Sequence, residues 1–166
     1  MNDLGRLGTG FYFEELVVGA TWQSAGRTLL EADLAAWMNL TWFNEELFSN
    51  KHDTADNALK GNPVPAAMVY AMAEGLIVAS MSRTGLAFLN CDLDVKKPMQ
   101  VGDTIYVHCE VIEARLTSKG DRGLVRTRNS VRNAHGDELL VYRPLRLFKC
   151  RPNPSPGHRP ATCGQC

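Results

Sequence analysis

One segment constrains the fold of this 166-residue chain more than any other. From Ala66 to Met81 the residues are apolar nearly all round, and Glu74 is the only charge among them. Met68, Met72, Leu76 and Ala79 form one stripe at helical spacing, and Val69, Ala73, Ile77 and Ser80 form a second. A helix apolar on so many sides is buried on most of them. Pro63 and Pro65 stand just ahead of it, where a missing N–H costs nothing. A chain of about one domain has few ways to surround such a helix, and wrapping it in a curved sheet is one.

The residues after the helix supply that sheet. Ala87, Leu89, Cys91, Leu93 and Val95 alternate with Phe88, Asn90, Asp92 and Asp94. From Thr104 to Leu116, Ile105, Val107, Cys109 and Val111 alternate with Tyr106, His108 and Glu110. Leu124 to Val131 alternates more weakly, and Leu139 to Lys149 forms a fourth run, with Pro144 predicting an edge or a bulge. Gly102, Gly120 and Gly136 mark the turns between these runs, so the pattern is that of an antiparallel meander. Upstream, Gly19 to Arg27 reads as a short strand and turn. Thr28 and Glu31 stand in capping-box spacing, ahead of a helix expected to end near Leu40. The segment from Trp42 to Gly61 has no clean period. The domain spans residues 1–150, and residues 151–166, with four of the eight prolines, read as an extended, mobile tail.

Composition narrows the function classes. Hydrophobic residues at 45% and charged residues at 22% exclude a disordered chain. Eighteen basic residues balance eighteen acidic ones, so no global charge argues for nucleic acid. The charge is uneven: residues 1–62 hold 4 basic and 9 acidic groups, and the remainder 14 and 9. A basic second half suits an anionic small ligand. The stretch from Pro65 to Met81 falls short of a membrane span, and nothing at the N-terminus resembles a targeting signal. An odd count of five cysteines fits reduced thiols, so the expectation is a cytoplasmic protein with no membrane partner.

Four local words occur in one order. They are Phe13-Glu14-Glu15-Leu16-Val17-Val18-Gly19; Gly26-Arg27-Thr28 followed by Asp33; the apolar helix from Pro63 to Leu76; and Lys97-Pro98 with Val101-Gly102-Asp103-Thr104. Together they resemble the MaoC-like dehydratases, the hydratase branch of the hot-dog fold, over residues 11–149. The resemblance implies an α+β hot-dog domain, a curved antiparallel sheet wrapped around a long central helix. It also implies a homodimer that binds acyl thioesters of coenzyme A or acyl carrier protein as substrate, with no other cofactor. Members hydrate an enoyl thioester, or run the reverse, with an Asp and a His after the first helix. A backbone N–H of the central helix polarises the thioester carbonyl; Pro65, Ala66 and Ala67 occupy that place here, Ala66-Ala67 standing where the family has His-Gly. Such chemistry needs a base to hold water and a donor for the enolate oxygen.

At the Asp and His positions this sequence differs. They fall on Phe43 and Phe48 counted forward from Leu40-Thr41, and on Asn44 and Ser49 counted back from Pro63. Glu45 and Glu46 among Trp42, Phe43 and Phe48 offer a carboxylate in an apolar pocket, whose pKa such a setting raises. His52 could serve as base, with Asn44 holding the water. Glu74 supplies a second enzyme reading, an acyl-CoA thioesterase with an acidic residue on the central helix. A non-catalytic acyl-thioester-binding subunit is the third, because Phe43 and Phe48 would make the site dry. Arg122, Arg126, Arg128 and Arg132 recur on the third long strand, with Arg143 and Arg146 on the next; Arg126 and Arg128 above all are candidates for coenzyme A phosphates, since guanidinium forks match phosphate geometry. Cys163-Gly164-Gln165-Cys166 has half of a zinc spacing but lacks a second C-x-x-C, so no metal is expected.

Overall fold

The computed structural model describes residues 8–52 and 55–152. The proline-rich tail from Asn153 onward, with Cys163 and Cys166, lies outside the described residues, as does Asp53. Two short strands, β1 (Thr21–Gln23) and β2 (Arg27–Thr28), precede α1 (Glu31–Thr41), the one-turn helix α2 (Glu46–Ser49) and α3 (Ala66–Ile77). Four long strands follow: β3 (Gly85–Val95), β4 (Thr104–Leu116), β5 (Arg122–Asn133) and β6 (Glu138–Lys149). They form one antiparallel sheet in the order β1-β4-β5-β6-β3, with β2 also pairing β4. This is the expected helix wrapped by a sheet.

Helix α3 lies on the inner face of the sheet. Met68, Val69, Ala73 and Ile77 are buried there against Ile105, Val107 and Cys109 of β4, Val131 of β5, and Leu140 and Tyr142 of β6. Each large side chain sealed in this layer contributes about 1.5–3 kcal/mol. Contrary to the sequence expectation, the chain buries one face of α3 and leaves Ala67, Ala71 and Gly75 exposed. The sheet covers one side and α1 part of another, and the outer stripe consists of small residues with little apolar area to hide. A second cluster of Leu16, Val111, Val125 and Phe148 closes the far end of the sheet.

Three local expectations change. Thr28 is not a helix cap: it sits in β2 with its hydroxyl 2.8 Å from that of Thr104. Asp33 does the capping, accepting the Leu30 N–H at 3.0 Å while pairing with Arg27 at 2.7 Å. Pro144 lies in β6, an interior strand. Pairing with β5 stops at Arg126↔Leu145 and resumes at Asn129↔Tyr142, so the ladder is open where proline has no N–H to give. The Arg126 guanidinium donates to the Arg143 carbonyl across this gap, at 3.2 Å. In β3, a register shift between Phe88 and Asn90 places Phe88 opposite Arg146, which turns Phe88, instead of its neighbours, toward the helix side.

The seat of α3 predicts unequal responses to one substitution. Ala73→Leu should cost about 1–3 kcal/mol by overpacking a fully buried contact. Ala71→Leu, two residues away and exposed, should shift stability by less than about 0.5 kcal/mol. Equal losses in urea titration would show that the wrong face of the helix has been placed inside.

Candidate functional site

The loop after α1 builds one side of the site. Trp42 ends the helix in a left-handed conformation (φ 58°), and the Asn44 N–H returns to the Trp42 carbonyl at 2.9 Å. Thr41 donates its hydroxyl to the Trp37 carbonyl and accepts the Phe43 N–H. The chain therefore doubles back, and the Phe43 and Phe48 rings meet with centroids 5.9 Å apart. Glu45 precedes α2 and supplies the carbonyl that takes the Phe48 and Ser49 N–H groups.

Phe48 is the shared wall of two cavities. One, of about 590 Å³, is lined by Leu34 and Met38 of α1 together with Asn44, Phe48 and Ser49, and the Lys51–Glu31 ion pair stands at its margin. The other, of about 380 Å³, lies between Phe48, Val64 and Ala66 on one side and Val95, Lys97 and Met99 on the other. Ala66 is the first residue of α3, and no side chain among the described residues caps that end. The leading N–H groups of a helix have no partner within it and carry the positive end of its dipole. An uncapped helix end thus borders a largely apolar chamber with lysines at its rim.

The candidates divide accordingly. Asn44, Phe48 and Ala66 line these chambers, Phe43 stacks behind Phe48, and Pro65 is buried just before α3. Phe43, Asn44, Glu45, His52 and Ala67 are all exposed, although Asn44 lines the larger chamber. The His52 N–H is held by the Asn50 side chain at 2.9 Å, and its imidazole lines neither chamber. Arg126 and Arg128 lie on the outer face of the sheet, away from α3. Arg126 pairs with Glu113 at 3.3 Å and bonds Asn90 at 3.0 Å. Arg128 pairs at 2.7 Å with Glu138, which also accepts from Ser130. Burial alone would raise the Glu138 pKa, but these bonds and the nearby guanidiniums hold it below the ordinary carboxylate value.

Glu74 is neither free nor paired with Arg83. Its carboxylate binds the guanidinium of Arg146, which is 5% exposed and also lies 5.4 Å from the centre of the Phe88 ring. Around this pair the inner face is polar. Tyr142, Asn129 and Thr127 are buried, and Tyr142 meets Tyr70 edge-on with centroids 5.0 Å apart. Burial, with Glu74 adding to it, pushes the Tyr70 phenol up to about 12 and Tyr142 higher still. Burial likewise raises the Cys109 thiol to about 12, which makes it a poor nucleophile at neutral pH. Sequence reasoning missed Asn129 and Tyr142 and grouped Arg146 with the phosphate candidates, because polar residues on an alternating strand read equally well on either face once a bulge or a proline intervenes.

No family profile matches the chain and no curated protein matches it in sequence. Solved structures do. A MaoC-like dehydratase from Rhodospirillum rubrum is 20% identical with a TM-score of 0.75, over 87% of this chain and 100% of that one. The chain has the hot-dog fold. A MaoC-domain dehydratase from Chloroflexus aurantiacus is 24% identical with a TM-score of 0.83, covering 92% of this chain and 45% of that protein. An (R)-hydratase from Pseudomonas aeruginosa is 18% identical with a TM-score of 0.69, covering 93% and 97%. Among the described residues, no helix of this hot-dog chain is long and apolar enough to cross a membrane.

The Glu74–Arg146 pair gives a test of the interior. Arg146→Leu should cost about 3 kcal/mol, the low end for breaking a buried pair, since the Glu74 side chain remains a quarter exposed. A loss under about 0.5 kcal/mol in chemical denaturation would place the pair in solvent.

Proposed function

We propose that this chain is a hydratase or dehydratase of acyl thioesters, working on a coenzyme A or acyl-carrier substrate with an altered set of side chains. The observation that carries the reading is the uncapped start of α3 beside the chamber walled by Phe48 and Ala66. A thioester carbonyl seated there accepts hydrogen bonds from the leading N–H groups and gains further stabilisation as it becomes an enolate. Water adds its oxygen to the β-carbon and a proton goes to the α-carbon; dehydration reverses both. We assign the water to Asn44, which lines the neighbouring chamber across Phe48, and the proton to Glu45, the exposed carboxylate beside it in sequence. The likeness in fold to hydratases and dehydratases supports this reading.

The thioesterase reading loses support from the Arg146 partner of Glu74, because a carboxylate already engaged by a buried guanidinium has one oxygen fewer to offer a substrate. The non-catalytic reading draws on the apolar Phe43–Phe48 contact, although Phe43 itself is exposed. One assay separates the three: enoyl-CoA absorbance lost without free thiol means hydration, free thiol means thioesterase, and coenzyme A retained without turnover means a binding subunit. Within the hydratase reading, Asn44→Ala should lower turnover about a hundredfold. His52→Ala should leave it within about twofold, since His52 lines neither chamber. The opposite ranking would move the chemistry to the loop around His52.

A homodimer through β3 belongs to the same proposal. This eleven-residue strand is the edge of the sheet, and it exposes Leu86, Phe88, Leu89, Leu93 and Val95. A long apolar edge is a surface that proteins normally cover. Light scattering should give twice the chain mass for the native protein and a smaller species for Leu89→Arg. A native monomer would contradict the dimer.

A further inference from the structure

A small recess of about 230 Å³ opens between the end of α3 and the start of β3, apart from the chambers at Phe48. Its walls include Leu86, Ala87 and Phe88, and its polar groups are Glu74 and Arg146. Arg146 is nineteen-twentieths buried, and one carboxylate oxygen of Glu74, Oε1, is buried with no hydrogen-bond partner. Elsewhere on the inner face, outside the walls of the recess, the Tyr142 hydroxyl, both ends of the Asn129 amide and the Thr127 hydroxyl are buried without a partner among the described residues. Tyr142 stands beside Asn129 and Glu74 without closing a bond of ordinary geometry. Buried polar atoms are satisfied in nearly all native proteins, so the unmet Oε1 of Glu74, beside the buried Arg146 in the wall of a cavity, points to a ligand group that completes it.

The charge state selects the ligand. Glu74 and Arg146 neutralise one another, so a carboxylate entering the recess meets the repulsion of Glu74 and an ammonium that of Arg146. A neutral group that both donates and accepts meets neither, and it matches Oε1 as acceptor with the guanidinium as donor. Eight residues separate Ala66 from Glu74, about 12 Å along the helix. An acyl chain lying along α3 from a thioester at Ala66 reaches the recess only with its distal carbons. The geometry points to a subsite for the far end of the acyl group, one that takes a neutral hydroxyl or amide in preference to a methyl or a carboxylate. This rests on the acyl-thioester reading above and adds a substrate class to it.

The test compares three ligands of one length by calorimetry on the native protein: decanoyl-CoA, its ω-hydroxy analogue and its ω-carboxylate analogue. The hydroxyl should bind about tenfold more tightly than the methyl, the factor that one hydrogen bond to a charged group carries, and the carboxylate more weakly than either. The double variant Glu74→Met with Arg146→Leu, an apolar replacement of the kind that buried ion pairs tolerate, should bind the methyl and hydroxyl forms equally. Equal affinities in the native protein overturn the subsite and leave the thioester reading standing. Absence of binding by all three overturns the thioester reading and the subsite with it. Should the double variant not fold, the native comparison alone decides.

Discussion

Everything in this structure depends on how closely α3 can approach the sheet. The contact is made at Ala73, a fully buried small residue, with Val69 and Ile77 on either side. A methyl group there lets the helix axis settle onto β4, β5 and β6 without prising them apart. One residue further on, Glu74 reaches Arg146 of β6 and fixes the helix against sliding or rotating. Apolar packing supplies most of the stabilisation, whereas the ion pair, costly to desolvate, supplies register.

That seat determines where chemistry can occur. Because α3 is held along its length, its first residue cannot shift, and the uncapped end at Ala66 stays aimed at the chamber behind Phe48. The loop after α1 is then placed by two local devices, the left-handed turn at Trp42 and the Phe43–Phe48 contact. The two ends of α3 differ in character: an apolar chamber with backbone donors at one, a neutralised ion pair with unmet hydrogen bonds at the other. A substrate lying between them would be read at both ends.

Much of the fold was legible because it is written in periods. The all-round apolar run predicted α3, and the alternation of Ile105, Val107, Cys109 and Val111 predicted β4 over the residues it occupies. Failures came where one local signal competed with another. Thr28 has good capping chemistry, but strand pairing with Thr104 claimed it and left Asp33 to cap the helix. Pro144 carries an edge signal, yet it lies inside the sheet because a side chain bridges the gap it leaves. The site was only half legible. Asn44 could be placed by counting back from Pro63 and Phe48 by counting forward from Leu40-Thr41, whereas Arg128 reads as a phosphate ligand in sequence and is engaged by Glu138 in space. Arg146 read as one more phosphate candidate and is the partner of Glu74, since nothing local tells which face of a bulged, proline-bearing strand will meet the helix.

Amide hydrogen exchange across the whole chain tests the central claim directly. If α3 is the core of the domain, the amides of Val69 to Ile77 exchange only by global unfolding and share the protection of β4, β5 and β6. Exchange of α3 at the rate of the Trp42–Asn50 loop, while the sheet remains protected, would mean that the helix is not seated and that neither end of it can hold a substrate.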